Sequence, residues 1–164
     1  MKFCPNTRKY KDVEDMNQSM IRKWNATVEP GDVVYILGDV AFMSGFDASK
    51  ILARLNGDKI LIVGNHDKKA LKDTHFEKSF REIHQYHEIV YNGTMVIMCH
   101  YPFCEWNGMH RGSVALHGHL HGGKSGMETY RCRDVGMDAT GKVVSLLDDV
   151  IADALKGEIK RHHH

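Results

Sequence analysis

Apolar residues recur at helical spacing at Val13, Met16, Met20, Ile21 and Trp24, which predicts an amphipathic helix over residues 12–25 with Asp12 placed to cap it. Met16 and Met20 read as core positions of that helix. A turn at Pro30-Gly31-Asp32 leads into 33–37, a continuous apolar run of the kind buried on both faces in a parallel sheet. A second helix is predicted over 46–55, with Ile51, Leu52 and Leu55 inward and Asn56-Gly57-Asp58 as its stop. Residues 60–63 form a second buried-strand pattern. The polar stretch that follows reads as helical, with Phe76, Phe80 and Ile83 as its apolar face. Residues 88–91 and 94–99, joined at Asn92-Gly93, have the pattern of a β-hairpin. A short strand is expected at 114–117, weaker strand patterns lie at 130–137 and 142–146, and a helix closes the chain over 148–155. The mixture of strands and helices predicts an α/β class with α+β character. No repeat, low-complexity tract or linker divides the chain, so a single domain is expected over residues 1–161. The run His162 to His164 resembles the remnant of a purification tag.

Composition narrows this picture without changing it. The chain has 164 residues, 42% hydrophobic and 26% charged, which is long enough and apolar enough for one folded core. Twenty-two basic and 21 acidic residues give a net charge of +1, so no bulk charge draws the chain to nucleic acid or an anionic membrane. No apolar run approaches the roughly 20 residues of a membrane span, and the opening residues lack the apolar stretch of a signal peptide; a cytoplasmic protein is expected. Cys4, Cys99, Cys104 and Cys132 are spaced irregularly and do not suggest a disulfide framework.

The 12 histidines do change the picture, because His100, His110, His117, His119 and His121 crowd into one short stretch. Four apolar strand patterns each end in polar residues: Gly38-Asp39, then Gly64-Asn65-His66-Asp67, then His100, then Gly118-His119-Leu120-His121-Gly122. Ligands of open α/β sheets bind outside the carboxyl ends of the strands. Asp39, Asn65, His100, His119 and His121 are therefore the candidate metal ligands. Their mixed oxygen and nitrogen donors suit Mn, Fe, Zn or Ni better than a structural zinc site. His119 and His121 alternate along what reads as an extended segment and so are expected to face one side. His66 adjoins Asn65 and is the candidate general acid, with Asp67 as the group that orients it.

The blocks GD, GNHD, H and GHLH, in this order and each at a strand end, resemble the calcineurin-like metallophosphoesterase family, most closely its small single-domain bacterial and phage-type members. The resemblance extends to MKFCPNTRKYKDVEDMN and MCHYPF. It implies a two-sheet β-sandwich flanked by helices, and hydrolysis of phosphodiesters or phosphomonoesters by a metal-activated hydroxide. Asp39 would bridge two metals, Asn65, His100 and His119 would complete one site, His121 would belong to the other, and His66 would protonate the leaving alcohol. The implied substrate is a small-molecule or nucleotide phosphoester, with nucleic acid only as a further substrate and no membrane partner. The family's opening Asp-x-His block, at the end of its first strand, has no match where it is expected. That strand is expected to be missing, through a late start or a truncated form. One metal rather than two, and a homodimer that completes the exposed sheet edge, follow as expectations. Asp73-Thr74-His75 repeats the pattern but sits in the polar helical stretch, where it reads as chance.

Other readings stand beside these. His110 and Arg111, in a glycine-flanked loop, are candidate contacts for a substrate phosphate as well as an ordinary solvated pair. His117 reads as support for the site. His75, His84 and His87 read as structural or surface residues, and Cys99 as a small core residue. The alternative to a phosphoesterase is a truncated, catalytically impaired metal-binding interaction or scaffold protein that kept half of a site.

Overall fold

The computed structural model describes residues 10–160; Cys4, the run His162 to His164 and most of the opening segment named above lie outside the described residues. The first helix, α1 (Val13–Asn25), begins where Asp12 accepts a hydrogen bond from the Asp15 amide at 2.8 Å. Glu14 and Asp15 in its first turn and Arg22 and Lys23 in its last complement the helix dipole. Its apolar stripe buries Ile21 and Trp24, and the Trp24 indole N–H donates to the Asn56 carbonyl at 3.0 Å. That bond fastens α1 to the turn between the next helix and strand.

Two sheets form the body. In the first, β1 (Val33–Ile36), β2 (Asp58–Ile62) and β3 (Glu82–His84) run parallel in that order. In the second, β4 (Tyr86–Tyr91) and β5 (Thr94–Cys99) form the hairpin, and β6 (Val114–His117) and β7 (Cys132–Asp134) extend it in parallel. The hairpin turn places Asn92 and Gly93 at φ +48° and +79°, the two positive angles that a two-residue turn with the right strand twist demands.

Strand alternation divides the core into layers. Ile60 and Ile62 of β2, Val96 and Met98 of β5, and Val114 and Leu116 of β6 meet between the sheets, joined by Ile151 and Ala154 of α6 (Leu147–Ala154). Leu61 and Val63 point the other way, against Ala48 and Leu52 of α2 (Gly45–Leu52), Ala70 of α3 (Asp67–Ala70) and Phe76 of α4 (Thr74–Glu77). On the far side of the second sheet, Ile97, Ala115 and Cys132 are covered by Trp106 and Met109. The protein is thus a two-sheet sandwich flanked by helices, as expected. Among the described residues no helix is long and apolar enough to cross a membrane.

Three local expectations are corrected. The polar stretch after β2 is not one helix: it breaks into α3 and α4, and Ile83 lies on β3, whose other two residues are polar. Residues 142–146 form no strand, because β7 is the sheet edge and, among the described residues, nothing pairs beyond it. The 130–137 strand shrinks to β7, since Gly136 caps the short helix α5 (Met137–Thr140). Asp73 is the N-cap of α4, accepting from the His75 amide at 2.8 Å, so Asp73-Thr74-His75 is a helix start.

Phe76 has no exposed surface and fills the space between α2, α4 and the first sheet. Phe76→Ala is expected to lower stability by about 3–5 kcal/mol, read from urea unfolding. Burial pushes the Cys132 thiol up to about 11, whereas Cys104 is exposed. Thiol labelling of the native protein at pH 8, mapped by mass spectrometry, should therefore modify Cys104 and spare Cys132 until the chain unfolds.

Candidate metal centre

The strands of both sheets release their chemistry-bearing residues at one end of the sandwich: Asp39 after β1, Asn65 after β2, His100 after β5 and His119 after β6. One donor atom from each of Asp39, His100 and His119 falls within a common 4.8 Å. His100 Nε2 lies 3.0 Å from Asn65 Oδ1, 3.2 Å from His119 Nδ1 and 3.5 Å from Asp39 Oδ2. His100 is almost wholly buried, and its Nδ1 lies 2.7 Å from the Leu37 carbonyl. A carbonyl only accepts, so Nδ1 carries a proton, which leaves Nε2 as the ring nitrogen that can offer a lone pair. Lone pairs of Asn65, His100 and Asp39 thus face one another, an arrangement that a cation relieves. A ligating histidine typically donates its second N–H to a carbonyl in this way. The His119 pKa is lowered, first by partial removal of the ring from water and then by the neighbouring His100, which keeps the imidazole neutral and able to ligate.

The backbone is bent to reach this geometry. Asp39 (φ +54°), His119 (φ +71°) and His121 (φ +50°) have left-handed backbones; among the described residues only Asn92 of the hairpin turn joins them outside glycine. Such conformations cost of order 1–3 kcal/mol each and collect at functional sites. Gly38 and Gly64 have to be glycine: a Cβ on Gly38 would lie 2.5 Å from His100 Nδ1, and one on Gly64 would lie 2.3 Å from Asp39 Oδ1.

Asp67 does not orient His66 as expected. It is buried, and its carboxylate accepts backbone amides from Asp39 at 2.9 Å, Val40 at 2.9 Å and Gly64 at 2.8 Å. It clasps the loop after β1 to the loop after β2. His66 reinforces the clasp through its backbone, whose amide donates to Asp39 Oδ1 at 3.0 Å, while its exposed ring lies against Phe42, centroid to centroid 4.8 Å.

His121 stands outside the compact group. The segment around it is a turn, closed by Leu120 N to Gly118 O at 2.9 Å and Gly123 N to Leu120 O at 2.8 Å, so His119 and His121 do not alternate as on a strand. The His121 ring pairs with the almost buried Asp138 at 2.9 Å. His110 and Arg111 are corrected more sharply. They precede β6 while the candidate ligand His119 follows it, and a four-residue strand separates the two ends by roughly 13 Å. Arg111 lines a separate hollow of about 320 Å³ with Gly93, Ser113 and Arg131, and His110 bonds to the Lys160 carbonyl. His117 is buried, and its Nδ1 donates to the Gly118 carbonyl at 2.9 Å, bracing the turn into the ligand loop.

Sequence reasoning missed Asp138, Phe42 and Tyr101. The exposed Tyr101 ring packs 4.7 Å from His119 and 5.0 Å from His100. An aromatic residue directly after the His100 block, and another just past Gly38-Asp39, were the available signals; nothing in the sequence pointed to Asp138.

No family model matches the chain. It is similar to an uncharacterized protein from Methanocaldococcus jannaschii, 34% identical over 123 residues, which are 74% of this chain and 61% of that protein. The chain thus spans 61% of the length of the curated relative it matches. Among solved structures it is similar to a protein of unknown function from Aquifex aeolicus, with a TM-score of 0.62 and 23% identity, covering 82% of this chain and 80% of that one. That likeness shows the shared fold.

Removing the clasp should disorganise the centre. Asp67→Ala leaves three amides without their acceptor and is expected to cost roughly 3 kcal/mol or more. Urea unfolding gives the stability loss, and Mn²⁺ titration calorimetry should show weaker binding even where the variant is folded.

Proposed function

We propose that the protein is a metal-dependent phosphoesterase of the calcineurin-like kind, acting on phosphodiesters or phosphomonoesters of small molecules or nucleotides. The observation that supports this most is the convergence of Asp39, Asn65, His100 and His119 from four separate strand ends on facing lone pairs. The donor set fits Mn, Fe, Zn or Ni: one carboxylate, one amide oxygen and two imidazoles, with a backbone carbonyl holding His100 in the ligating tautomer. A divalent cation there supplies an activated water and neutralises charge on phosphoryl oxygens.

The chain's own residues do the rest. Asp67 holds the two loops in register, so that Asp39 and Asn65 stay adjacent. The His66 ring is exposed beside the centre, where it can protonate a departing alkoxide oxygen. Phe42 packs on that ring and limits its orientations. His119 is kept neutral by its surroundings and is not lost as a ligand until the pH falls below its ordinary value.

One observation favours the rival reading of a metal-binding protein without turnover. Among the described residues the compact group holds one set of ligands, and His121, expected at a second metal, is paired with Asp138. The two readings part on a single assay. With Mn²⁺ the full chain should hydrolyse bis(p-nitrophenyl) phosphate or p-nitrophenyl phosphate. Asp39→Asn and His119→Ala should abolish the rate, and His66→Ala should lower kcat by about 10²–10⁴-fold while leaving metal binding intact. Stoichiometric metal with no turnover on either ester would establish the rival.

A further inference from the structure

We propose that Glu82, His84 and His87 form a second divalent-cation site, at the open edge where the two sheets meet, taking a borderline ion such as Zn²⁺ or Ni²⁺. The argument begins with strand alternation. Glu82 pairs with Ile60 and His84 with Ile62, and both isoleucines point into the layer between the sheets. His87 pairs with Met98, which points into the same layer from the opposite sheet. Ile83, between the two polar residues of β3, faces the helices instead. Three polar side chains therefore project inward from both sheets, at an edge where apolar packing gives way to solvent.

Their donors are already gathered. One ligand atom from each residue lies within 4.8 Å of the other two. Glu82 Oε2 is 2.9 Å from His84 Nε2, and the His84 and His87 rings stack with centroids 4.2 Å apart. A tetrahedral zinc shell has ligand-to-ligand edges of about 3.3 Å, given Zn–N near 2.0–2.1 Å. Glu82 is exposed and both histidines are only partly buried, so the side chains have room to turn toward one ion. Only Gln85 separates β3 from β4, so ligands from two different sheets are held together by covalent connection.

The donor types match the geometry. Two imidazoles and one carboxylate are a set that binds divalent transition ions and leaves coordination positions open to water. Inward polar residues also discourage edge-to-edge pairing of sheets, but that role does not require three donors within reach of one ion. An ion here would tie β3 to β4. It would also steady the strand pair whose next residues are the Gly64 to Asp67 loop, since the Val63 amide donates to the His84 carbonyl at 2.8 Å.

The test uses the full chain carrying Asp39→Asn and His119→Ala, which silence the first centre. Equilibrium dialysis against Zn²⁺ is compared with the same chain carrying His84→Gln and His87→Gln as well; the terminal histidines are present in both and cancel. The expected result is one fewer bound ion per chain in the second protein, together with loss of the zinc-dependent rise in melting temperature. Because the side chains lie at an exposed edge, circular dichroism without metal should be the same for both. An unchanged ion count overturns the proposal. If the added substitutions impair folding, paramagnetic Co²⁺ is titrated into the first protein instead. Early broadening of the His84 and His87 imidazole resonances supports the site, and broadening confined to other histidines overturns it.

Discussion

The buried carboxylate of Asp67 is the interaction on which the rest of the site depends. It receives three backbone amides from two loops that are 24 or more residues apart in sequence and brings them into contact. Bonds from amides to a carboxylate are charge-assisted, and around a carboxylate this buried they are stronger than neutral ones. Their geometric consequence matters as much as their energy. With the Asp39 and Gly64 amides both drawn to Asp67 Oδ2, the Asp39 side chain and the Asn65 side chain both face His100. Glycine at 38 and 64 is the condition that lets the loops come this close.

Around that clasp the sandwich acts as a rigid frame. Parallel strands of both sheets end on the same side, so their loops share one edge and the candidate ligands need no long excursions. The frame also absorbs strain. Three left-handed residues, Asp39, His119 and His121, sit at the turns where strands become ligand loops. Conformations this unfavourable persist only where surrounding structure over-determines them. Here the determinants are visible: Asp67 for Asp39, the His117 ring on the Gly118 carbonyl for His119, and the Asp138 carboxylate for His121.

The same sandwich treats its two ends differently. At the ligand end, loops are short and tied to one another. At the other end, the loop holding His110 and Arg111 folds over the outer face of the second sheet, with Trp106 and Met109 buried beneath it. Proximity in sequence to the histidine cluster was a poor guide to proximity in space, because β6 carries the chain from one end to the other between residue 111 and residue 119.

The strands that bury both faces were legible in the local pattern, since Ile60 to Val63 and Val114 to Leu116 have no polar face to present. It determined the hairpin at Asn92-Gly93 through the positive φ angles only such residues adopt readily, and the ends of α1 through Asp12 and the charges at its termini. It also located Asp39, Asn65, His100 and His119, because each follows an apolar strand directly. Long-range contacts settled the rest. Glu82–His84 is a strand because β2 is there to pair with it, not because its residues prefer one. His121 leaves the group that His119 joins because turn hydrogen bonds, invisible to periodicity, rotate the two apart. The task of Asp67 could not be read locally at all: its partners are backbone amides, which every residue but proline carries, and only folding decides which of them arrive.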